Sequence, residues 1–180
     1  MDGDVIIGFL DEASPQTTAN TQRLWSFGKP KICKNTSKFK LNVAGFYAIN
    51  GVSVIDCIEN SKKEHICEFL ERIRYLNPNT RIVIVLDRYA SHRAKMTREC
   101  AKNLGMDLVY LPPYSPHLNP IELIWKSIKR IISNTFIINV GHMKNVIDRH
   151  FIKYSSQLSF AKAWIGTFLS ENLKCQLLGA

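Results

Sequence analysis

Apolar positions along the chain form two kinds of pattern, short continuous runs and stripes at helical spacing. The continuous runs predict strands that are buried on both faces of a sheet, because neither face of such a strand carries polar side chains. Asn50-Gly51, which stands between two apolar runs, is a strong hairpin signal. The predicted strands cover residues 5–10, 39–50, 52–58, 81–86 and 107–111.

The stripes predict helices between and after these strands. Ile66, Phe69, Leu70 and Ile73 follow the i, i+3, i+4, i+7 spacing of an amphipathic helix. Polar residues mark where the helices begin. The predicted starts are Ser61 with Glu64 as a capping box, Ser91 or a neighbour, and Asn119 followed by Pro120 as the first helical residue. These helices reach about residues 76, 103 and 133, and the last 45 residues are predicted to be helical.

The order of these elements predicts an α/β fold with a mixed five-stranded sheet. The first three strands can pair antiparallel, and the last two, reached through helices, can add in parallel. The helices then cover both faces of the sheet. A length of 180 residues suits one domain, with residues 1–135 as its core and 136–180 as a helical C-terminal extension. No apolar run approaches the length of a membrane span.

The chain is basic, with a formal net charge of +9. Such a charge favours polyanionic partners, and nucleic acid is the commonest of these, although basic enzymes and membrane-surface proteins share it. Several of the positive charges lie in a polar segment, residues 23–40, which is either a solvated loop or a path for phosphates: Arg23, Lys29, Lys31, Lys34, Lys38 and Lys40. Five cysteines without paired spacing indicate a reducing compartment.

Two aspartates, Asp11 and Asp87, each follow a predicted buried strand. The carboxyl ends of such strands are where sites form in open α/β sheets, so these two side chains can meet. Carboxylates held close together need a cation between them, and hard oxygen ligands suit Mg²⁺ or Mn²⁺. The alternative is that both are ordinary turn residues.

Glu122, near the start of the third predicted helix, also has more than one interpretation. It can cap the helix, pair with Lys126 one turn later, or act as a metal ligand on a face that also carries Lys129 and Ser133. Its spacing alone does not decide between them.

Three ordered motifs resemble those of DDE transposases. Residues 111–126, Leu-Pro-Pro-Tyr-Ser-Pro-His-Leu-Asn-Pro-Ile-Glu-Leu-Ile-Trp-Lys, followed by Lys129-Arg130, resemble the third-carboxylate motif of the mariner-like superfamily, in its bacterial and archaeal insertion-sequence branch. Residues 84–92 resemble the second-aspartate motif, and Leu10-Asp11-Glu12 resembles the first, with Arg23, Trp25 and Gly28 fitting the loop that follows. Thirty-four residues separate Asp87 from Glu122, the spacing that marks this branch. The resemblance covers about residues 5–133.

The resemblance implies a ribonuclease H-like fold and a transposase or endonuclease activity. Asp11, Asp87 and Glu122 would be the catalytic residues and the ligands of two divalent metals, Mg²⁺ or Mn²⁺. Such a site catalyses DNA strand cleavage and strand transfer by in-line displacement at phosphorus. By the same resemblance, the target would be a TA dinucleotide.

Contacts with DNA are expected at basic residues near these motifs. Arg88 stands where the family often has asparagine, and His92 matches a position that is often histidine in the family. Phosphate contact or packing is open for His92, and phosphate contact or solvent exposure for Arg88. The full candidate set is Arg23, Lys29, Lys31, Lys34, Arg88, His92, Lys126, Lys129 and Arg130.

The resemblance also bears on partners. DNA, as element ends and target, is the expected substrate, in the prokaryotic cytoplasm and nucleoid. The helix-turn-helix region of the family has no room before Asp11, so recognition is expected from a separate or missing segment. Ala161, Trp164, Ile165 and Phe168 form a helical stripe that serves either core packing or a homodimer contact. The alternative functions are a non-catalytic DNA-binding remnant or accessory subunit, and another ribonuclease H-like nuclease.

Overall fold

The computed structural model describes residues 5–18, 27–28, 35 and 37–170 of the chain. These residues form five strands and five α-helices. In chain order they are β1 (Val5–Ala13), β2 (Val43–Ala48), β3 (Val54–Cys57), α1 (Lys63–Leu76), β4 (Arg81–Leu86), α2 (Lys95–Asn103), β5 (Met106–Tyr110), α3 (Ile121–Asn134), α4 (Val140–Ser155) and α5 (Lys162–Phe168). Short 3₁₀ turns at Pro116–Leu118 and Leu158–Phe160 precede α3 and α5. No helix in the described ranges is long and apolar enough to cross a membrane.

The five strands form one mixed sheet in the order β3-β2-β1-β4-β5. β1 pairs antiparallel with β2 and parallel with β4, while β2–β3 is antiparallel and β4–β5 is parallel. The predicted α/β class and mixed sheet are therefore confirmed. β1 is central because it is the strand at which the antiparallel and parallel halves join.

Helices cover both faces of the sheet, as predicted. On one face, α1 and α2 pack over a core that includes Ile6, Leu10 and Phe46. On the other face, the last three helices pack over a core that includes Phe9 and Tyr47. Successive residues of β1 point to opposite faces, so residues 9, 11 and 13 face α3 and residues 10 and 12 face α1 and α2.

The strand bounds differ from prediction: β2 begins at Val43 rather than at residue 39, β3 is shorter than 52–58, and β5 begins and ends one residue earlier than 107–111. Two further differences concern the end of β1 and the β2–β3 link. β1 runs on to Ala13, so Asp11 lies inside the strand rather than after it, because pairing with β2 continues to Val43. β2 and β3 form the predicted antiparallel hairpin, but residues 49–53 join them instead of a two-residue turn. The reason is Asn50, whose side-chain amide pairs with the backbone of β1 at Ile7 N (3.0 Å) and Val5 O (2.7 Å).

The three predicted N-caps were wrong in detail. α1 begins at Lys63 after Lys62, and α2 begins at Lys95 after Ala94, in each case with no side-chain cap. Ser91 is instead buried in the preceding turn, where its carbonyl accepts a hydrogen bond from the Thr97 hydroxyl at 2.6 Å. α3 begins at Ile121 without a side-chain cap, because the Asn119 amide is directed at the backbone of Leu10.

The C-terminal part is helical only in sections. Residues 135–139 are an extended link, α4 and α5 follow, and residues 171–180 lie outside the described part. Trp164 packs edge-on against Phe9 with a ring separation of 4.8 Å, which supports core packing for the predicted stripe. Phe168 stacks on Trp164 but is about half exposed.

One close contact sets the distance between α3 and the sheet. Trp125, fully buried on α3, lies against Gly45 of β2, and its ring stacks on Phe151 of α4. A Cβ atom at position 45 would be 2.5 Å from the nearest Trp125 ring atom and 2.9 Å from Phe151. A residue without a side chain is therefore required here for α3 to pack at its observed depth.

The amino-terminal edge of the parallel strands is closed by a well-paired polar network. The Arg74 guanidinium donates to the backbone carbonyls of Leu104, Asn77, Thr80 and Gly105 at 2.7–3.0 Å. The buried Asn77 side chain donates to the carbonyls of Val52 and Ile73 and accepts from the Val52 amide. These bonds join the end of α1 to the β2–β3 link and to the turn after α2.

The Gly45 contact leads to a stability prediction. Gly45→Ala should destabilise the fold by about 1–3 kcal/mol, because the new methyl group forces Trp125 out of its packed position. The matched control is Gly166→Ala in α5, where a Cβ meets nothing within 4 Å and helix propensity should change stability by about 0.5–1 kcal/mol in the favourable direction. Urea unfolding of both variants measures the difference; equal stabilities would contradict the proposed role of Gly45.

Candidate active site

Three carboxylates from three separate elements line one cleft at the carboxyl edge of the sheet. Where β1 and β4 pair with each other, the last paired residues are Phe9 and Val85. Asp11 and Asp87 each come two residues later, so they lie side by side on neighbouring parallel chain segments. Glu122 joins them from the first turn of α3. The cleft has a volume of about 510 Å³. The structure thus brings together all three carboxylates that the sequence singled out.

Glu122 reaches the cleft because of how α3 begins. The amide of Glu122 bonds to the carbonyl of Asn119 at 3.1 Å, and the buried Asn119 side chain lies 3.5 Å from the carbonyl of Leu10 in β1. Trp125, three residues after Glu122, anchors the same helix against the sheet. Both ends of this first turn are therefore fixed to β1 and β2, and its carboxylate is directed at the site rather than at the helix terminus.

Asp11 is the most strongly perturbed carboxyl of the three. Burial raises its pKa, and repulsion from Glu122, Glu12 and Asp87 raises it further, to about 8. One backbone hydrogen bond acts in the opposite direction without outweighing them. The cleft therefore concentrates negative charge that Asp11 relieves by holding a proton.

Asp87 sits in the opposite environment. Its Oδ1 accepts hydrogen bonds from the Tyr89 amide at 2.9 Å and from His92 Nδ1 at 2.7 Å. The bond from His92, opposed by partial burial, holds the pKa of Asp87 below its usual range. Burial alone would lower the pKa of His92, but its contacts with Asp87 and Glu12 outweigh burial and raise that pKa to about 10. The histidine is thus a buried imidazolium between two carboxylates.

The rim of the cleft is made of rigid backbone, rings and basic side chains. Pro112 and Pro113 precede Tyr114, which is fully exposed and has a positive φ of 56°. Tyr89 and two arginines, Arg88 and Arg93, line the other side. Both arginines are exposed. The rim therefore carries positive charge and aromatic rings, and it surrounds the acidic floor of the cleft formed by Asp11, Asp87 and Glu122.

The predicted DNA-contact residues have different outcomes. Arg88 lies at the rim of the cleft, whereas His92 is buried between two carboxylates, which favours packing over phosphate contact for His92; DNA contact by Arg88 stays a prediction. Lys126, Lys129 and Arg130 follow Glu122 along α3 but do not line the cleft. Arg23, Lys29, Lys31 and Lys34, together with Trp25, lie outside the described residues.

Several residues around the site were missed by sequence reasoning. Arg93, Tyr89 and Tyr114 line the cleft, and Glu12 contacts His92 from behind it. Tyr89 and Tyr114 stand inside the motifs themselves, so their position was the available signal. In the sequence Glu12 stands out only as part of the first motif, but strand alternation predicts that its side chain and that of Asp11 face opposite sides of the sheet.

The donor set suits a hard divalent cation, since it consists of carboxylate oxygens. Within the described ranges, no group of three His, Cys, Asp or Glu side chains is already arranged to hold a metal ion. A cation between these carboxylates would relieve the repulsion that helps to raise the pKa of Asp11.

Comparison with known proteins decides the family. Residues 7–144 match the family model described as DDE superfamily endonuclease. The chain belongs to this family. No curated protein sequence matches it.

Solved structures similar to this DDE-family chain include several of Mos1 transposase. The Mos1 paired-end complex with the left transposon end superposes with a TM-score of 0.63 at 16% identity, over 91% of this chain and 56% of that one. The isolated catalytic domain of Mos1 mariner transposase superposes with a TM-score of 0.57 at 17% identity, over 91% and 84% of the two chains. The fold is therefore that of the Mos1 catalytic domain, and the chain spans about half the length of the longer Mos1 chains.

The pKa of Asp11 leads to a pH prediction for the protein in EDTA. A carboxyl whose pKa is raised in the folded state makes the fold lose stability as pH rises from about 4 to about 8, because only the unfolded chain ionises freely in that window. Asp11→Asn removes this loss, so its stability advantage over wild type should be near zero at pH 4 and grow to pH 8. Thermal unfolding across this range measures it.

The control for this prediction is Asp107→Asn. Asp107 lies in β5 near the opposite edge of the sheet, in an exposed ion pair with Arg81. Its replacement should change stability only slightly, because an exposed ion pair contributes little. An advantage of Asp11→Asn that stayed flat or shrank toward pH 8 would contradict the assigned pKa.

Proposed function

We propose that this chain is the catalytic domain of a DNA transposase of the mariner-like superfamily, in its insertion-sequence branch. The activity is metal-dependent cleavage of DNA strands and their transfer to a target. The observation that carries the proposal is the convergence of Asp11, Asp87 and Glu122 on one cleft in a chain of the DDE endonuclease family. These three residues come from β1, the end of β4 and α3, and are the acids that the motifs single out.

Mg²⁺ or Mn²⁺ is the cofactor that these residues fit. Asp11 lies near both other acids, and repulsion from each of them raises its pKa, so Asp11, Asp87 and Glu122 would hold the metals together. When bound, the metals would activate the attacking oxygen and neutralise charge on the leaving oxygen. Mos1 structures with Mg and with Mn are among those similar to this chain.

The rest of the cleft suits a nucleic-acid strand. Arg88 and Arg93 at the rim place positive charge where phosphates would enter. Tyr89 and Tyr114 offer ring faces on which bases can stack without regard to sequence. The cleft is open at the surface, so a DNA backbone can be laid along it. The proposed substrates are element ends and target DNA, with a TA target by resemblance.

We also propose how the chain fits into a larger assembly. The helices after residue 135 share one core with the sheet, with Met143, Phe151 and Ile165 fully buried against it. This supports the interpretation of residues 136–180 as an extension of one domain over residues 1–135. Recognition of element ends would come from a separate helix-turn-helix region, and two copies would pair two ends. Such a protein acts at the nucleoid of a prokaryotic cytoplasm.

Metal binding is the first test. Calorimetric titration with Mn²⁺ should show specific binding by the wild type that is lost in Asp11→Ala and Asp87→Ala, because each removes a ligand from the shared site. Asp107→Asn, which removes an acid near the opposite edge of the sheet, should bind like wild type. If all four proteins bound equally, or none bound with or without DNA, a non-catalytic DNA-binding role would replace the proposal.

Cleavage is the second test. With Mn²⁺ and supercoiled plasmid, Asp87→Asn should reduce nicking to background while DNA binding stays equal or becomes tighter, because the substitution removes a repelling charge and keeps the shape. Asp107→Asn again serves as the charge-matched control and should nick as wild type does. Nicking by Asp87→Asn at the wild-type rate would refute the catalytic assignment.

DNA binding is expected to be nearly blind to sequence. Two unrelated duplexes of equal length should bind with similar affinity, and the affinity should fall steeply as salt rises. Arg93→Ala should reduce the slope of log K against log[salt] by about 1, since it removes one phosphate contact. Arg72→Ala, on α1 in an ion pair with Asp56, is the control. Tight, salt-insensitive binding to one sequence would contradict this prediction.

A further inference from the structure

His92 forms a bridge between two carboxylates, Glu12 in β1 and Asp87 just after β4. Its Nδ1 is 2.7 Å from Oδ1 of Asp87, and its Nε2 is 3.0 Å from Oε2 of Glu12. The histidine side chain is 1% exposed, and that of Glu12 is 12% exposed. The second contact has ion-pair distance without the alignment of a good hydrogen bond. Both ring nitrogens are therefore engaged by acids, out of contact with solvent.

This bridge lies behind the cleft rather than in it. Glu12 and His92 do not line the cleft, and Glu12 faces the α1 and α2 side of the sheet, away from Asp11. Only Asp87 belongs to both sets, because it lines the cleft on one side and accepts from His92 on the other.

The backbone around His92 is itself held in place. The carbonyl of His92 accepts a hydrogen bond from the Tyr110 hydroxyl at 2.9 Å. The turn is closed by the amide of Arg93 bonding to the carbonyl of Tyr89 and by the Thr97 hydroxyl bonding to the carbonyl of Ser91. These bonds hold the backbone of His92 in place, and the contacts of the ring with Asp87 and Glu12 then determine the orientation of the ring.

We propose that Glu12 and His92 form a positioning pair that orients the Asp87 carboxylate toward the cleft. Glu12 fixes the imidazole, and the imidazole fixes Oδ1 of Asp87, so that Oδ2 is the oxygen presented to a ligand. The Tyr89 amide bonds to the same Oδ1, so both hydrogen bonds fall on Oδ1 of Asp87 and leave Oδ2 for the ligand. The inference rests on the proposed function, since it assigns Asp87 as a metal ligand.

Partners of this kind behind a metal ligand fix its geometry, and their loss commonly costs about 10–100-fold in metal affinity or activity. Glu12, although adjacent to Asp11, is then not a metal ligand. His92 and Glu12 are positioning residues because neither side chain lines the cleft, and the only proposed metal ligand that the His92 ring contacts is Asp87.

The test uses two amides that each imitate one ring nitrogen. In His92→Asn the side-chain amide can take the place of Nδ1 and donate to Asp87, whereas in His92→Gln it can reach toward Glu12 but not replace Nδ1. Mn²⁺ titration by calorimetry and plasmid nicking are measured for both. His92→Gln should lose about 10–100-fold in Mn²⁺ affinity and in nicking rate, and His92→Asn should stay much closer to wild type.

A second pair of variants probes Glu12 and covers the case in which a His92 variant does not fold. Glu12→Gln keeps an acceptor oxygen for Nε2 and should retain Mn²⁺ binding. Glu12→Ala, like His92→Asn, keeps the bond to Asp87 but loses the second contact, so it should weaken Mn²⁺ binding less than His92→Gln does. Thermal unfolding of each variant separates a loss of stability from a loss of metal affinity.

The outcomes are distinct. Wild-type Mn²⁺ affinity in both His92→Gln and Glu12→Ala, or equal losses in His92→Asn and His92→Gln, would overturn the positioning pair while leaving the proposed function intact. Loss of Mn²⁺ binding in Glu12→Gln would make Glu12 a ligand and overturn the inference as well. If wild type neither bound Mn²⁺ nor nicked DNA, the proposed function would fail first, and the inference with it.

Discussion

The packing of Trp125 over Gly45 fixes the depth of α3 against the sheet, and the site depends on that depth. Gly45 of β2 pairs directly with Asp11 of β1, and Trp125 of α3 packs against Gly45. The helix therefore contacts the sheet right beside the acid. Glu122 stands one turn before Trp125 on the same helix. Apolar packing, which is insensitive to charge, therefore determines the separation of two groups that repel each other. A carboxylate cluster could not hold this arrangement by its own interactions.

The chain as a whole is positively charged, but the cleft at the carboxyl edge of the sheet is lined by acids. The chain carries a net charge of +9, yet the cleft floor is acidic enough to raise the pKa of Asp11 to about 8. Two of the three acids respond differently because their surroundings differ: Asp11 is buried among acids, and Asp87 accepts a bond from an imidazolium. A basic exterior attracts a polyanion, while the acidic floor reserves the interior of the cleft for cations.

Sequence patterns predicted the mixed sheet and the three cleft acids because both depend on local signals, namely strand periodicity and short motifs. The contact between Glu12 and His92 was not predictable in the same way. The two residues are 80 positions apart in the sequence and meet only because β1 and β4 are neighbours in the sheet. The length of β1 depended on pairing with β2, and the start of α3 on a contact between Asn119 and Leu10. Local sequence patterns do not report such tertiary contacts, so they predicted neither the end of β1 nor the start of α3.

The polar network around Arg74 has a consequence for how such a domain can diverge. It secures the amino-terminal edge of the sheet through bonds to main-chain carbonyls, which every residue type supplies. Neighbouring side chains can therefore change without breaking it. The loops and exposed rings at the opposite edge take no part in these bonds. A scaffold tied together at one end by sequence-independent bonds permits change at the other.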